Sequence, residues 1–220
     1  MDLEQFCTHY PQLFHMAHVD SWESIKKHGL LSTTALLDLF EISGEDRIKI
    51  ESRRRKKCIP IYHQKYGTAV IRDNIPLPES KLEQALVDMT PNQWYELLNS
   101  KVFFWPTEKR VRDLLHARAY RKHSHIVITL DTRLLLSEQY KNAYLSRINS
   151  GAAPYHPTPR GSDTFVHLSK WPTDEGPKSH KLKNPVAEVA INYSVQNITK
   201  VTVRVEEMRD GGKTRFIWPS

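Results

Sequence analysis

PVAEVAINYSV, Pro185 to Val195, is the stretch on which the fold class turns. Its apolar run Val186, Ala187, Val189, Ala190 and Ile191 has the length and β-branched content of a strand. KVTVRVEEM (200–208) follows, alternating Val201, Val203 and Val205 toward one side, and DGGKTRFIWP (210–219) returns after a glycine turn as a hairpin. Upstream the signals are largely helical. DSWESIKKHG (20–29) has Asp20 and Glu23 at capping-box spacing, Trp22 and Ile25 on one face and Gly29 as a left-handed terminator. TPNQWYELLNS (90–100) has a Thr90 cap, Pro91 at the first helical position, Gln93 closing the box and a Trp94, Leu97, Leu98 stripe. KVFFWP (101–106) reads as a buried strand, EKRVRDLLHARAYRK (108–122) as a helix and HIVITLDT (125–132) as a central strand. Helices early and antiparallel strands late predict an α+β fold, organised as one domain over residues 1–220.

Glu188 breaks the first of these strands, because a carboxylate amid Val186, Val189 and Ile191 is costly to bury without a partner or a use. Two readings stand: an edge strand with Glu188 in water, or a rigid carboxylate at the floor of a cleft, aimed at a proton or at developing positive charge. A net charge of +7 favours a polyanionic partner. The densest basic run, Arg53 to Lys57, is either a solvated helix end or a phosphate contact. Cys7 and Cys58 lack zinc or redox spacing and are expected to be reduced thiols. No apolar run approaches the roughly 18 residues of a membrane span, and MDLEQFCTHY does not look like a signal peptide, so a cytoplasmic protein without membrane contact is expected.

LFHMAHVDSWESIKKHGLLS (13–32) sets His15 and His18 three apart on an incoming strand before the first of those helices. No third ligand of matching spacing accompanies them, so no metal is expected. In the aromatic strand, Phe103 and Trp105 face one side and Phe104 the other. One side packs on the core and the other can stack on a ligand, with Tyr120 extending the wall; plain core packing competes for each of these side chains. NSGAAPYHPTPRGSDTF (149–165) is a long polar loop carrying Asn149, Tyr155, His156, Arg160, Ser162, Asp163 and Thr164, of which Asn149, Arg160 and Thr164 are candidate substrate contacts. Arg72 and Asp73 read as a plain ion pair.

Three of these stretches, LFHMAHVDSWESIKKHGLLS, SKVFFWPTEKRVRDLL and VAEVAINYSVQNI, resemble in the same order the DNA ADP-ribosyltransferase toxins of the DarT type, as a distant branch of the ADP-ribosyltransferase superfamily. The resemblance implies a central, mostly antiparallel split sheet flanked by helices and NAD as the ADP-ribose donor. It implies Glu188 as the catalytic carboxylate on the donor ribose, with Arg54 and then Arg53 holding its phosphates. His15, His18, Gly29, Leu30, Phe103, Trp105 and Tyr120 would shape the dinucleotide pocket. A nucleic acid, DNA foremost, would be the acceptor, and a macrodomain-type antitoxin the partner. Two other functions stay open: a non-catalytic nucleic-acid-binding module, and removal of a ribose 2′-phosphate from RNA on the same scaffold.

Overall fold

The computed structural model describes residues 2–153, 158–172, 185–209 and 212–219. Its strands are β1 (Gln12–His18), β2 (Leu30–Leu31), β3 (Ile59–His63), β4 (Gly67–Ile71), β5 (Lys101–Phe104), β6 (His125–Asp131), β7 (Ala143–Ser146), β8 (Val166–His167), β9 (Glu188–Asn192), β10 (Ser194–Val195), β11 (Thr202–Arg209) and β12 (Lys213–Trp218). Its helices are α1 (Leu3–His9), α2 (Trp22–His28), α3 (Thr33–Leu39), α4 (Gly44–Glu51), α5 (Glu79–Ala85), α6 (Pro91–Asn99), α7 (Glu108–His116), α8 (Thr132–Gln139) and α9 (Ile198–Val201). The fold is α+β, with helices concentrated in the first half and antiparallel strands closing the chain.

Two four-stranded sheets carry the architecture, one ordered β1-β6-β11-β12 and the other β5-β9-β7-β8. Leu13, Ile126, Ile128 and Val205 of the first meet Phe104, Leu145, Val189 and Ile191 of the second in one core, all fully buried. Removing side chains of this size from water stabilises the fold by about 1.5–3 kcal/mol each before entropy is counted. The sheets also touch edge to edge. Phe14 and Trp105 exchange main-chain hydrogen bonds of 3.0 and 2.8 Å, linking β1 to the chain just past β5. Main-chain pairing between the two strands stops there.

β9 lies between β5 and β7, so Glu188 sits on an interior strand and is buried, not on a wet edge. The capping box at Thr90 and Gln93 forms as its spacing predicts. The box expected of Asp20 and Glu23 does not. Instead the His18 ring accepts from the Asp20 N–H, and a short 3-10 turn, Val19–Ser21, precedes α2, leaving Ser21 at the helix start without a side-chain cap. The helix expected over 108–122 ends at His116, where Ala117 leaves the helical region. The inward triplet of valines also fails at its centre. The β11 register shifts between Thr202 and Arg204, so Val203 faces solvent while Val201 and Val205 stay buried. Tyr155 and His156 lie outside the described residues. Among the described residues no helix is long and apolar enough to cross a membrane.

Gly29 holds a positive φ of +84°, and a Cβ there would stand 2.8 Å from the Val195 carbonyl oxygen and 2.9 Å from Gln196 Cα. Both the backbone conformation and the close approach require glycine. Gly29→Ala is therefore expected to lower the Tm by roughly 5–10 °C in a thermal melt.

Candidate active site

Beside the Phe14–Trp105 bridge, a side chain extends the link between the sheets. His15, one residue past the Phe14 bridge, has its Nδ1 2.8 Å from the Phe103 carbonyl oxygen. A carbonyl only accepts, so Nδ1 carries the proton and Nε2 keeps its lone pair. Burial, opposed by this hydrogen bond and reinforced by the Arg72 charge, lowers the His15 pKa to about 4, and the ring is neutral at physiological pH. The opening beside it is a cavity of about 550 Å³.

Glu188 lines that cavity. It is the first residue of β9, paired to Ser146 of β7, and only 3% exposed. One carboxylate oxygen accepts from the Ser150 N–H at 3.0 Å and from the Ser150 hydroxyl at 2.6 Å. Burial drives the Glu188 pKa up to about 7, against the opposing effects of the Ser150 bonds and of the Arg110 and Arg160 charges.

Arg160 holds this arrangement from behind. Its guanidinium donates to the Ser150 and Ala152 carbonyls at 3.1 and 2.9 Å, and its own main chain is bonded to Ala85 and Val87. Arg160 is buried and outside the cavity lining, so it positions the loop instead of meeting a ligand. Thr164 is also outside, with its hydroxyl accepting from the Gly161 N–H in a turn. Of the three loop candidates, Asn149 alone reaches the cavity.

The basic run divides three ways. Arg53 is exposed, and Arg54 donates to the Ile75 carbonyl at 2.6 Å; neither lines the cavity. Arg55 does line it, but is bonded to Ile50 and Arg72 carbonyls and to Asn99, which joins α4, α6 and the chain after β4 into one wall. Burial lowers the Arg55 pKa to about 10, well above neutrality, so it stays charged.

The cation better placed to meet a ligand is Arg72. It lies 4.9 Å over the Tyr120 ring, donates to the Met16 carbonyl at 3.2 Å, and lines the cavity. Asp73 sits 3.9 Å from the Arg72 guanidinium and accepts from the Tyr120 hydroxyl at 2.8 Å, so the ion pair read from the sequence is part of a wall. Arg110 of α7 also lines the cavity, and no ion pair involving it occurs among the described residues.

Phe103 and Trp105 line the cavity, while Phe104 is fully buried in the core, as strand alternation predicts. Tyr120 joins them from the turn after α7, not from the helix itself. Gly29 and Leu30 also line it; His18 is occupied at the start of its turn and does not. Lys101 lines it too, with its ammonium bonded to Asn192 at 2.6 Å and burial lowering its pKa. Sequence reasoning passed over Arg110, Lys101 and Ser150, and read Arg72 only as the ion-pair partner of Asp73. The available signal was a charge flanking an apolar stretch, Arg72 after AVI and Lys101 before VFF. Among the described residues no group of three or more His, Cys, Asp or Glu side chains could hold a metal ion.

Residues 11–202 match the model of a family of unknown function, DUF7002. The chain belongs to that family. The matched span contains every cavity residue named above and ends at the start of β11, so the shared portion of DUF7002 carries the whole candidate site. Comparison with curated proteins finds no match.

The pH dependence of stability follows from Glu188. Between its ordinary value of 4.5 and about 7, the folded protein keeps a proton that the unfolded chain releases, so stability falls as pH rises through that window and stays low above it. The shift corresponds to about 3 kcal/mol. Glu188→Gln removes the ionisation, and its Tm is expected to match wild type near pH 4.5 and exceed it by roughly 5 °C at pH 8 in parallel melts.

Proposed function

We propose that the cavity binds NAD and that this protein transfers ADP-ribose to a nucleic acid, DNA foremost, as a bacterial toxin or anti-phage effector. The observation that carries this is Glu188, a buried carboxylate fixed by two Ser150 donors and lining a cavity of about 550 Å³ whose lining also carries cations and aromatic rings. That volume falls within the range of sites for small molecules and cofactors. The split between the two sheets is compatible with an ADP-ribosyltransferase-like fold.

Each part of the donor finds matching chemistry here. Arg72 and Arg110 are suited to a diphosphate, and Phe103, Trp105 and Tyr120 to a planar ring. The dinucleotide would supply the ADP-ribosyl group and nicotinamide as the leaving group. Ionised Glu188 stabilises positive charge developing on the sugar and can take a proton from the attacking nucleophile. Neutral His15 offers an acceptor at Nε2 for a ribose hydroxyl. A buried, unpaired carboxylate is destabilising unless used, which a purely binding module does not explain.

Incubation with isotope-labelled dinucleotide and, separately, single-stranded DNA, RNA and protein tests the reading. Wild type is expected to label one polymer, and Glu188→Ala to lose about 10²-fold or more of that activity. Label released without attachment to a polymer, and only when the RNA supplied carries a 2′-phosphate, would turn the reading toward the RNA 2′-phosphate reaction. No turnover, with nucleic-acid binding intact, would leave a binding module.

Because the carboxylate is the working form, kcat/KM should rise with pH through about 7 and level off above it. By calorimetry, Arg72→Ala should weaken dinucleotide binding roughly tenfold, while Arg53→Ala changes it by less than about twofold.

A further inference from the structure

Lys56 and Lys57 are exposed, and no ion pair among the described residues involves either of them. They lead into β3, which pairs with β4 as an isolated two-stranded hairpin, Ile59 opposite Ile71 and His63 opposite Gly67. The inner face of the hairpin is apolar: Ile61, Ala69 and Ile71 are buried against Leu37 and Phe40 of the α3 region. The outer face is different. Pro60, Tyr62 and Thr68 are exposed, and Tyr62, at 72%, is the most exposed large apolar side chain among the described residues.

Lys65 lies exposed at the hairpin tip, its ammonium 5.3 Å from the Tyr66 ring centroid. Two carboxylates approach the hairpin: Glu41, 3.8 Å from the His63 ring, and Asp73, just past β4, 3.5 Å from the Cys58 thiol. The outer face also runs toward the cavity. Val70, opposite Pro60 and on the same face as Tyr62, lines the cavity, and Arg72 follows one residue beyond β4.

We propose that the outer face of the β3–β4 hairpin docks single-stranded nucleic acid, with Tyr62 as a stacking platform for a base and Lys56, Lys57 and Lys65 as phosphate contacts. Charge complementarity selects a polyanion, and the exposed ring selects one that carries bases. Duplex bases are stacked inside a helix and cannot lie on Tyr62, whereas unpaired bases can. Neither contact reads the sugar, so DNA and RNA strands should both dock. The proposal rests on the transferase reading only for the purpose of docking, which is to keep a polymer beside the cavity where Glu188 lies.

Fluorescence anisotropy with labelled single-stranded oligothymidine and oligouridine, titrated over a salt series, tests it on the full chain without dinucleotide. Tyr62→Ala should weaken binding roughly tenfold while leaving the salt slope unchanged. Lys56→Ala with Lys57→Ala should weaken binding and reduce the slope by about 0.7 for each phosphate no longer neutralised. All three positions are exposed, and unchanged thermal melts would establish that the variants are folded. Unaltered affinity and slope in both variants overturn the proposal. So does a lysine effect without a Tyr62 effect together with equal competition by heparin, which marks a generic polyanion surface. Tyr62-dependent capture by phosphatidylserine vesicles, with no capture of oligonucleotide, overturns it in favour of a membrane. Glu188→Gln should dock like wild type. Loss of docking in the hairpin variants alongside a chain that turns over no dinucleotide would sink the transferase and leave this surface standing. Normal docking in the hairpin variants alongside Glu188-dependent transfer would do the reverse.

Discussion

Glu188 is buried in a strand with strands on both sides, and its carboxylate has two donors, both from Ser150. Much of the surrounding structure follows from supporting that group. Ser150 can donate from its N–H and its hydroxyl only if the chain after β7 is held in one conformation. Arg160 imposes that conformation by bonding the Ser150 and Ala152 carbonyls, and is itself bonded through its main chain to the segment after α5. The support is incomplete, since burial still outweighs the hydrogen bonds and keeps the Glu188 pKa near 7. A protein built for stability alone would place an apolar side chain there. A carboxylate whose burial is only partly offset is the observation on which the proposed function rests.

The two sheets share a core at their faces, and among the described residues the Phe14–Trp105 bridge links them at their edges, beside the cavity. Past the Phe14–Trp105 bridge, the His15 ring bonds a strand carbonyl in place of the backbone. That bond sets the tautomer, and burial removes the charge, so the histidine offers an acceptor at the same place where the sheets part. Cations approach from other elements: Arg72 past the end of β4, Arg110 from α7 and Arg55 from the segment after α4. Arg55 shows how a charge near a ligand site can still be structural. Its three acceptors tie together the wall on which Arg72 is carried.

Local chemistry was legible wherever it was self-contained. Thr90, Pro91 and Gln93 specify a helix start within four residues, and they form one. Phe103, Phe104 and Trp105 alternate because a strand has a period of two. Glu188 stood out because an apolar run made its charge anomalous. Where two local solutions compete, spacing was insufficient. Asp20 and Glu23 have the separation of a capping box, but His18 captures the Asp20 N–H first. Val203 continues an alternation that a register shift ends.

The sequence by itself determined the α+β class, the helix start at Thr90 and the alternation of Phe103, Phe104 and Trp105, and it singled out Glu188 as anomalous, because each depends on neighbours within a few residues. Only the tertiary structure decided which charges meet. Arg53, Arg54 and Arg55 are consecutive, yet one is solvated, one is bonded to a loop carbonyl and one is buried in a wall. Ser150 reaches a residue 38 positions away, and Arg72 reaches the Met16 carbonyl 56 positions away. Such contacts are set by how two sheets and a hairpin pack, and the direction in which a long side chain points is a property of that packing rather than of its neighbours in the chain.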